Sequence, residues 1–180
     1  MALTLTATGI TDGNGRPLLN GSGTPLQFIQ SAYTSVYENG SSQSEYDLPG
    51  ALGDGTFSIT PTSSSSTLLF QFVLSQGQED TWRHQSYKFY YKIGSGGSWV
   101  NFYGTTGYGW ISGNSGSLAS HRAQTLISPA TTTTVYFKVT ANNHGNGNTL
   151  HLNQNNKDAT TGNNNEGQVS SSVNVWEFSG

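Results

Sequence analysis

Apolar residues in this chain recur at every second position over short stretches and almost never at helical spacing. Leu26 and Phe28 alternate with polar neighbours, and Phe57 and Ile59 follow a Gly-Asp-Gly turn. Phe70, Phe72 and Leu74 share one face of a strand whose other face carries Leu69 and Val73, so burial on both sides is expected there. Tyr87, Phe89, Tyr91 and Ile93 alternate with Ser86, Lys88, Tyr90 and Lys92, which predicts a half-exposed strand with its lysines in water. The turn Gly94-Ser95-Gly96-Gly97-Ser98 then leads into Trp99, Asn101 and Tyr103 as a hairpin. Val135, Phe137 and Val139 follow a run of four threonines, Leu150 and Leu152 mark a short strand, and Val173, Val175 and Trp176 begin a last one. Eight to ten strands and no helix are predicted. The fold class is all-β, an antiparallel β-sandwich or jelly-roll-like head with a short N-terminal arm.

Residues 1–24 form that arm, and residues 25–180 the head. Leu3, Leu5 and Ala7 alternate with threonines as a short strand, followed by a turn-dense stretch from Gly9 to Pro17 and by Asn20-Gly21-Ser22-Gly23. So little apolar surface cannot fold alone. It can add to the open sheet edge of another protein, with Leu3 and Leu5 filling that protein's pockets. Two stretches lack periodicity, 104–117 and 142–167, the second crowded with asparagines that tolerate turn conformations. Binding commonly resides in long loops on a rigid scaffold. Tyr108 and Trp110, set in a glycine-rich loop, and Asn142, Asn143 and His144 are therefore the candidate contact surface, whereas Trp99 and Tyr103 alternate as core residues should.

Composition narrows the function. Only 9% of the 180 residues are charged and 33% are hydrophobic, while 24 Ser, 22 Thr, 16 Asn and 10 Gln supply an uncharged polar surface. Disordered chains solvate themselves with net charge, and this one has −3 with 12% aromatic residues, which describes a packed β protein. Seven basic against ten acidic residues offer no electrostatic footprint for nucleic acid. No run approaches the roughly 20 apolar residues of a membrane helix, and the start lacks the basic and apolar regions of a signal peptide. Cysteine is absent, which excludes disulfides, thiol catalysis and thiolate metal sites.

Candidate chemistry is thin. Gly113-Asn114-Ser115-Gly116-Ser117 looks like a serine-protease nucleophile motif, but no Asp or Glu lies between His84 and Ser115 to complete the chymotrypsin order. Glu38, Glu45, Asp47, Asp54, Glu79 and Asp80 cluster in the first half without a pattern that singles out a glycosidase pair. Asp12-Gly13-Asn14-Gly15 begins like a calcium loop but has Arg16 at the third ligand position. The four histidines have no metal-ligand spacing. No catalytic residue, cofactor or metal is expected.

Three blocks carry a family resemblance. Leu26-Gln27-Phe28-Ile29-Gln30, the segment Phe57 to Leu69 with its Ile59-Thr60-Pro61-Thr62-Ser63-Ser64-Ser65-Ser66 turn, and Val173 to Gly180 resemble the opening strand, central motif and terminal strand of tailed-phage virion proteins of the marine and cyanophage type. Thr131 to Lys138 fits a penultimate strand, and residues 76–127 match no part of that family. The resemblance implies a β-sandwich assembled on the virion, commonly as a homotrimer, with no active-site motif to carry over. The expected function is a non-enzymatic virion appendage, a fibre or capsid-surface decoration. It would be made in the host cytoplasm, attached to other virion proteins through residues 1–24 and available to a host surface glycan. A free carbohydrate-binding module or lectin is the alternative, and a small polysaccharide hydrolase the third reading.

Overall fold

The computed structural model describes residues 4–6, 9–11, 23–40, 44–77, 84–104, 118–144, 149–153 and 169–180. Among them are β1 (Thr4–Thr6), β2 (Gly9–Thr11), β3 (Pro25–Tyr33), β4 (Tyr37–Asn39), β5 (Glu45–Asp47), β6 (Ser58–Ile59), β7 (Thr67–Gly77) and β8 (His84–Ile93). There follow β9 (Val100–Gly104), β10 (Leu118–Ile127), β11 (Val135–His144), β12 (Leu150–Leu152) and β13 (Ser171–Phe178), with a single 3-10 turn at Gly50–Leu52. Every pairing is antiparallel. The all-β expectation holds, with more strands than the periodicity predicts because β2, β4, β5 and β6 are too short to show it.

Two sheets face each other. In the first, β3, β13, β7 and β10 lie side by side, and β12 and β4 extend it beyond the end of β13. The second runs β5-β11-β8-β9, with β6 also on β11. Phe70, Phe72 and Leu74 of β7 and Val173 and Val175 of β13 meet Tyr87 and Phe89 of β8 and Val135, Phe137 and Val139 of β11, all buried. The sheets lock through rings: Phe70 lies 5.3 Å from Phe137 and 5.5 Å from Phe89, and Phe72 lies 5.1 Å from Phe89. Leu69 and Val73, on the opposite face of β7, are only half-buried. The strand therefore has one core face rather than two.

The hairpin of β8 and β9 departs from simple alternation. Phe89 pairs with Tyr103 but Tyr90 pairs with Asn101, so Phe102 is an extra residue in a β-bulge. The bulge turns two consecutive side chains inward: Phe102 packs on Phe70, Phe89 and Phe137, and Tyr103 on Phe89. Trp99, expected in the core by alternation, instead lies on the outer side of the second sheet.

A short β-ladder joins β1 to β2, with Leu5 opposite Ile10, where the sequence reads a turn from Gly9 onward. Gly23 and Thr24 are tied to the sandwich: Gly23 N donates to Ser179 O at 2.7 Å, and Ser179 N to Thr24 O at 2.8 Å. Leu3 lies outside the described residues.

The three blocks of the sequence resemblance converge at one buried side chain. Glu177 occupies an inward position of β13 with no exposed surface. Its Oε1 accepts from Thr62 N at 2.7 Å and Thr62 Oγ1 at 2.8 Å, and its Oε2 accepts from Gln27 Nε2, whose amide also reaches Thr60 O. The first strand, the Pro-Ser turn and the last strand are thus bound to one carboxylate. Burial pushes that carboxyl up, and the hydrogen bonds it accepts, from Thr62 and Gln27 among others, outweigh it, so its pKa falls below the ordinary value. A lowered folded pKa gives stability that is complete above the ordinary carboxylate range, about pH 4 to 5, and is lost as the pH falls through the folded value. Glu177→Gln keeps the size but turns a donor toward donors. It is expected to cost about 2–3 kcal/mol at neutral pH and to flatten the fall in stability below about pH 5, measured by urea unfolding across pH. An unchanged acid limb in the variant would show that Glu177 does not carry it.

Candidate functional site

The two outer faces of the sandwich differ in chemistry. On the second sheet, β5, β11, β8 and β9 present alternating outward residues that satisfy one another. Lys88 Nζ bonds Glu45 Oε2 at 2.5 Å, and Tyr90 Oη and Thr140 Oγ1 both donate to Glu45 Oε1, at 2.5 and 2.7 Å. Lys138 Nζ pairs with Asp47 at 2.8 Å and sits 5.5 Å from the Tyr90 ring centre and 5.2 Å from that of Trp99. Lys92 lies 4.9 Å from the Trp99 ring and 5.3 Å from that of Tyr136. Lys92 and Lys138 are held over rings, and Lys88 against Glu45, rather than simply in water.

This face holds two of the acids singled out in the sequence, Glu45 and Asp47. Burial raises the Glu45 carboxyl, but the hydrogen bonds from Lys88, Tyr90 and Thr140 and the Lys88 charge more than offset it, so the pKa is lowered. A glycosidase proton donor needs the reverse, a carboxyl held protonated near neutrality. Asp47 is engaged by Lys138, and Glu177 is consumed in the fold. Glu79, Asp80 and the Ser115 turn lie outside the described residues, as does the Asp12–Gly15 stretch. Among the described residues no three His, Asp or Glu side chains approach closely enough to share a metal ion.

The outer face of the first sheet is organised in rows across four strands. Phe28, Trp176, Leu69 and Leu126 stand opposite one another on β3, β13, β7 and β10. Two residues along, Gln30, Asn174, Gln71 and Gln124 form a row of amides, and the next row is Ala32, Ser172, Val73 and Arg122. Leu126 and Phe28 are 62% and 43% exposed, and Trp176 leans on Phe28 with ring centres 4.3 Å apart. Between the amide row and Arg122 lies a hollow of about 370 Å³ lined by Gln71, Val73, Arg122, Gln124 and Asn174. A second hollow of about 560 Å³ shares Val73 and Arg122 and continues to Ser120 and Ser170. Gln71 Nε2 donates to Gln124 Oε1 at 3.3 Å, while the shielded Asn174 Oδ1 has no hydrogen-bond partner.

The sequence-derived contact residues fall elsewhere. Asn142, Asn143 and His144 are not in a loop: they extend β11, opposite Ser86, Gln85 and His84 of β8. Asn142 is half-buried, with Oδ1 enclosed and unpartnered. Tyr108 and Trp110 lie outside the described residues. The row residues Gln71, Gln124 and Asn174 escape a search for motifs because each is an ordinary polar position in an alternating strand. Their signal is cross-strand register, which a single sequence does not contain.

No family model matches the chain, and no curated protein does. Solved structures do. The chain is similar to a structure of the Gt strain of infectious bursal disease virus, with a TM-score of 0.44 and 12% identity over 100% of this chain and 42% of that one. It is similar also to VP2 of that virus in a subviral particle, with a TM-score of 0.43 and 11% identity, and to its T=1 particles, with a TM-score of 0.46 and 11% identity. Those matches cover 100% and 99% of this chain, and 42% and 44% of the respective structures. The chain thus spans about two fifths of these viral proteins. Likeness of this degree assigns no function.

The environment of Trp99 generates a prediction. Gly55 has φ +75°, and a Cβ there would fall 2.8 Å from the Trp99 ring. Gly55→Ala is expected to destabilise by about 1–2 kcal/mol. In a double-mutant cycle with Trp99→Ala, the ring contribution vanishes and the backbone contribution stays, so the pair should be less than additive. Full additivity in chemical denaturation would refute the contact.

Proposed function

We propose that this chain is a non-enzymatic structural protein of a virion, an appendage or surface decoration of a tailed-phage particle. Residues 1–24 form its attachment arm, with Leu3 and Leu5 as the side chains that enter a neighbouring virion protein, and residues 25–180 form the head. The observation that supports this is the convergence of the three resembling blocks. Leu26–Gln30, the Thr60–Ser66 turn and Val173–Gly180 are far apart in sequence, yet they form one bonded unit around Glu177. The resemblance therefore coincides with a structural unit rather than with scattered composition. The engagement of Glu45, Asp47 and Glu177 in ionised contacts fits a non-enzymatic role.

On this reading the head is a homotrimer, and exposed Val100 on β9 and Ile93 on β8 are apolar side chains available to a subunit contact. Tyr108, Trp110, Asn142, Asn143 and His144 are the residues proposed to contact a host surface. A free lectin is the second reading. The register-aligned aromatic and amide rows favour it over a hydrolase, and it differs from the first in needing no particle.

Deletion of residues 1–22 tests the assignment while retaining the Gly23 and Thr24 bonds to Ser179. The expected outcome is a folded head with a nearly unchanged Tm that no longer enters particles, assayed by purification of virions from infected cells. A head that unfolds, or one that loads normally, would overturn the attachment role. Light scattering of the full chain should give three times the chain mass, and a mass of one chain would exclude the trimer.

A further inference from the structure

We infer that the outer face of β13, β7 and β10 binds an acidic oligosaccharide, with a sugar carboxylate on Arg122 and neighbouring hydroxyls on Gln71, Gln124 and Asn174. This gives a site and a ligand class to the host-surface adhesion proposed above and rests on that reading for its setting.

Three independent features of the face lead to it. The first is shape. The two hollows meet at Val73 and Arg122, so the depression is a trough running along the strands from the amide row to Ser120. Four residues of strand separate Gln124 from Ser120, about 13 Å at the usual rise. That length suits a few linked pyranose rings and is more than one monosaccharide fills.

The second is unspent hydrogen-bonding capacity. Each side-chain amide has two donor hydrogens and an acceptor oxygen, the pairing that vicinal sugar hydroxyls require. Among these amides the Gln71–Gln124 bond is long, and Asn174 Oδ1, shut off from water, has no partner. Gln71 and Gln124 line the trough, and the one long bond between them leaves amide hydrogens free to donate to a ligand's hydroxyls. Trp176 and Phe28 border the amide end, with Phe28 exposed, and supply apolar ring surface for the CH face of a sugar.

The third is charge. Arg122 is exposed at the middle of the trough and has no ion-pair partner among the described residues, in contrast to Lys88 and Lys138 on the other sheet. No Asp or Glu occurs at the outward positions of β3, β13, β7 or β10. A guanidinium with free donors on a carboxylate-free face fits a planar carboxylate in bidentate fashion, as carried by a uronic or sialic acid.

The test is calorimetric titration of the full chain with hexagalacturonate and hexameric hyaluronan, with maltohexaose as the neutral control. The acidic probes are expected to bind, and more weakly at high salt, while maltohexaose binds at least about tenfold more weakly for want of the Arg122 pairing. Arg122→Gln should abolish that preference, Arg122→Lys should restore it only in part, and Asn174→Ala should weaken both classes without lowering Tm. Absence of binding by all three probes overturns the inference. So does binding of the acidic probes that ignores Arg122→Gln and Asn174→Ala. A change in oligomeric mass in these variants, with no glycan bound by the native chain, assigns the face to a second copy of the protein instead. Incorporation of Arg122→Gln into particles is measured alongside. A native chain that enters particles but binds no probe defeats the site alone, and loss of incorporation by Arg122→Gln with glycan binding intact defeats the virion reading's division between arm and face.

Discussion

A carboxylate taken out of water must find donors or give up its charge, and Glu177 finds them in the parts of the chain most distant from it. Gln27 comes from the first long strand of the head and Thr62 from the turn that joins β6 to β7. The same glutamate sits on β13, the strand between β3 and β7, so its bonds fix the register of all three. The ring stack of Phe70, Phe89 and Phe137 would tolerate small slips of one sheet over the other, because apolar contact is not directional. A charged, multiply bonded group does not tolerate them.

The sequence makes this residue visible in one respect. Ser171, Val173 and Val175 set the inward parity of the last strand, and Glu177 falls on the same parity, where an acid is out of place unless it is bonded. The large alternating strands were equally legible, since β7, β8 and β11 write their core face in Phe, Tyr and Val. β10 was not. Its inward side chains are His121, Ala123, Thr125 and Ile127, and the apolar Leu126 stands exposed on its outer side, so the edge strand reverses the usual code. An edge lies beside the open seam of the sandwich and can afford weakly apolar residues facing in. Phe102 was hidden for a different reason, because a bulge changes which residues share a face without altering composition. The outer-face rows are less legible still: they exist only after the strands are placed in register.

The contrast between the outer faces is a contrast in electrostatic completion. On the second sheet each carboxylate has its lysine, and the lysines Lys92 and Lys138 have their rings. Exposed pairs of this kind add little to stability singly. Among the described residues their network leaves no strong donor seeking a partner, so that face presents a settled surface. The first sheet's face has amide donors and, among the described residues, a cation without an anion, beside an apolar row. Recognition is favoured where capacity is unspent.

The bonds between Gly23, Thr24 and Ser179 have a mechanical consequence. A pull applied to the chain on the N-terminal side of Gly23 does not enter the head through a flexible hinge. It meets the junction with Ser179 and then β3, whose ladder to β13 runs continuously from Tyr33 to Gln27 before the irregularity near Phe178. Force directed along these strands loads the ladder in shear, with many hydrogen bonds sharing the strain, whereas force across them opens the bonds one after another. The head is therefore anisotropic: resistant to tension along β3 and far weaker to peeling at its edge.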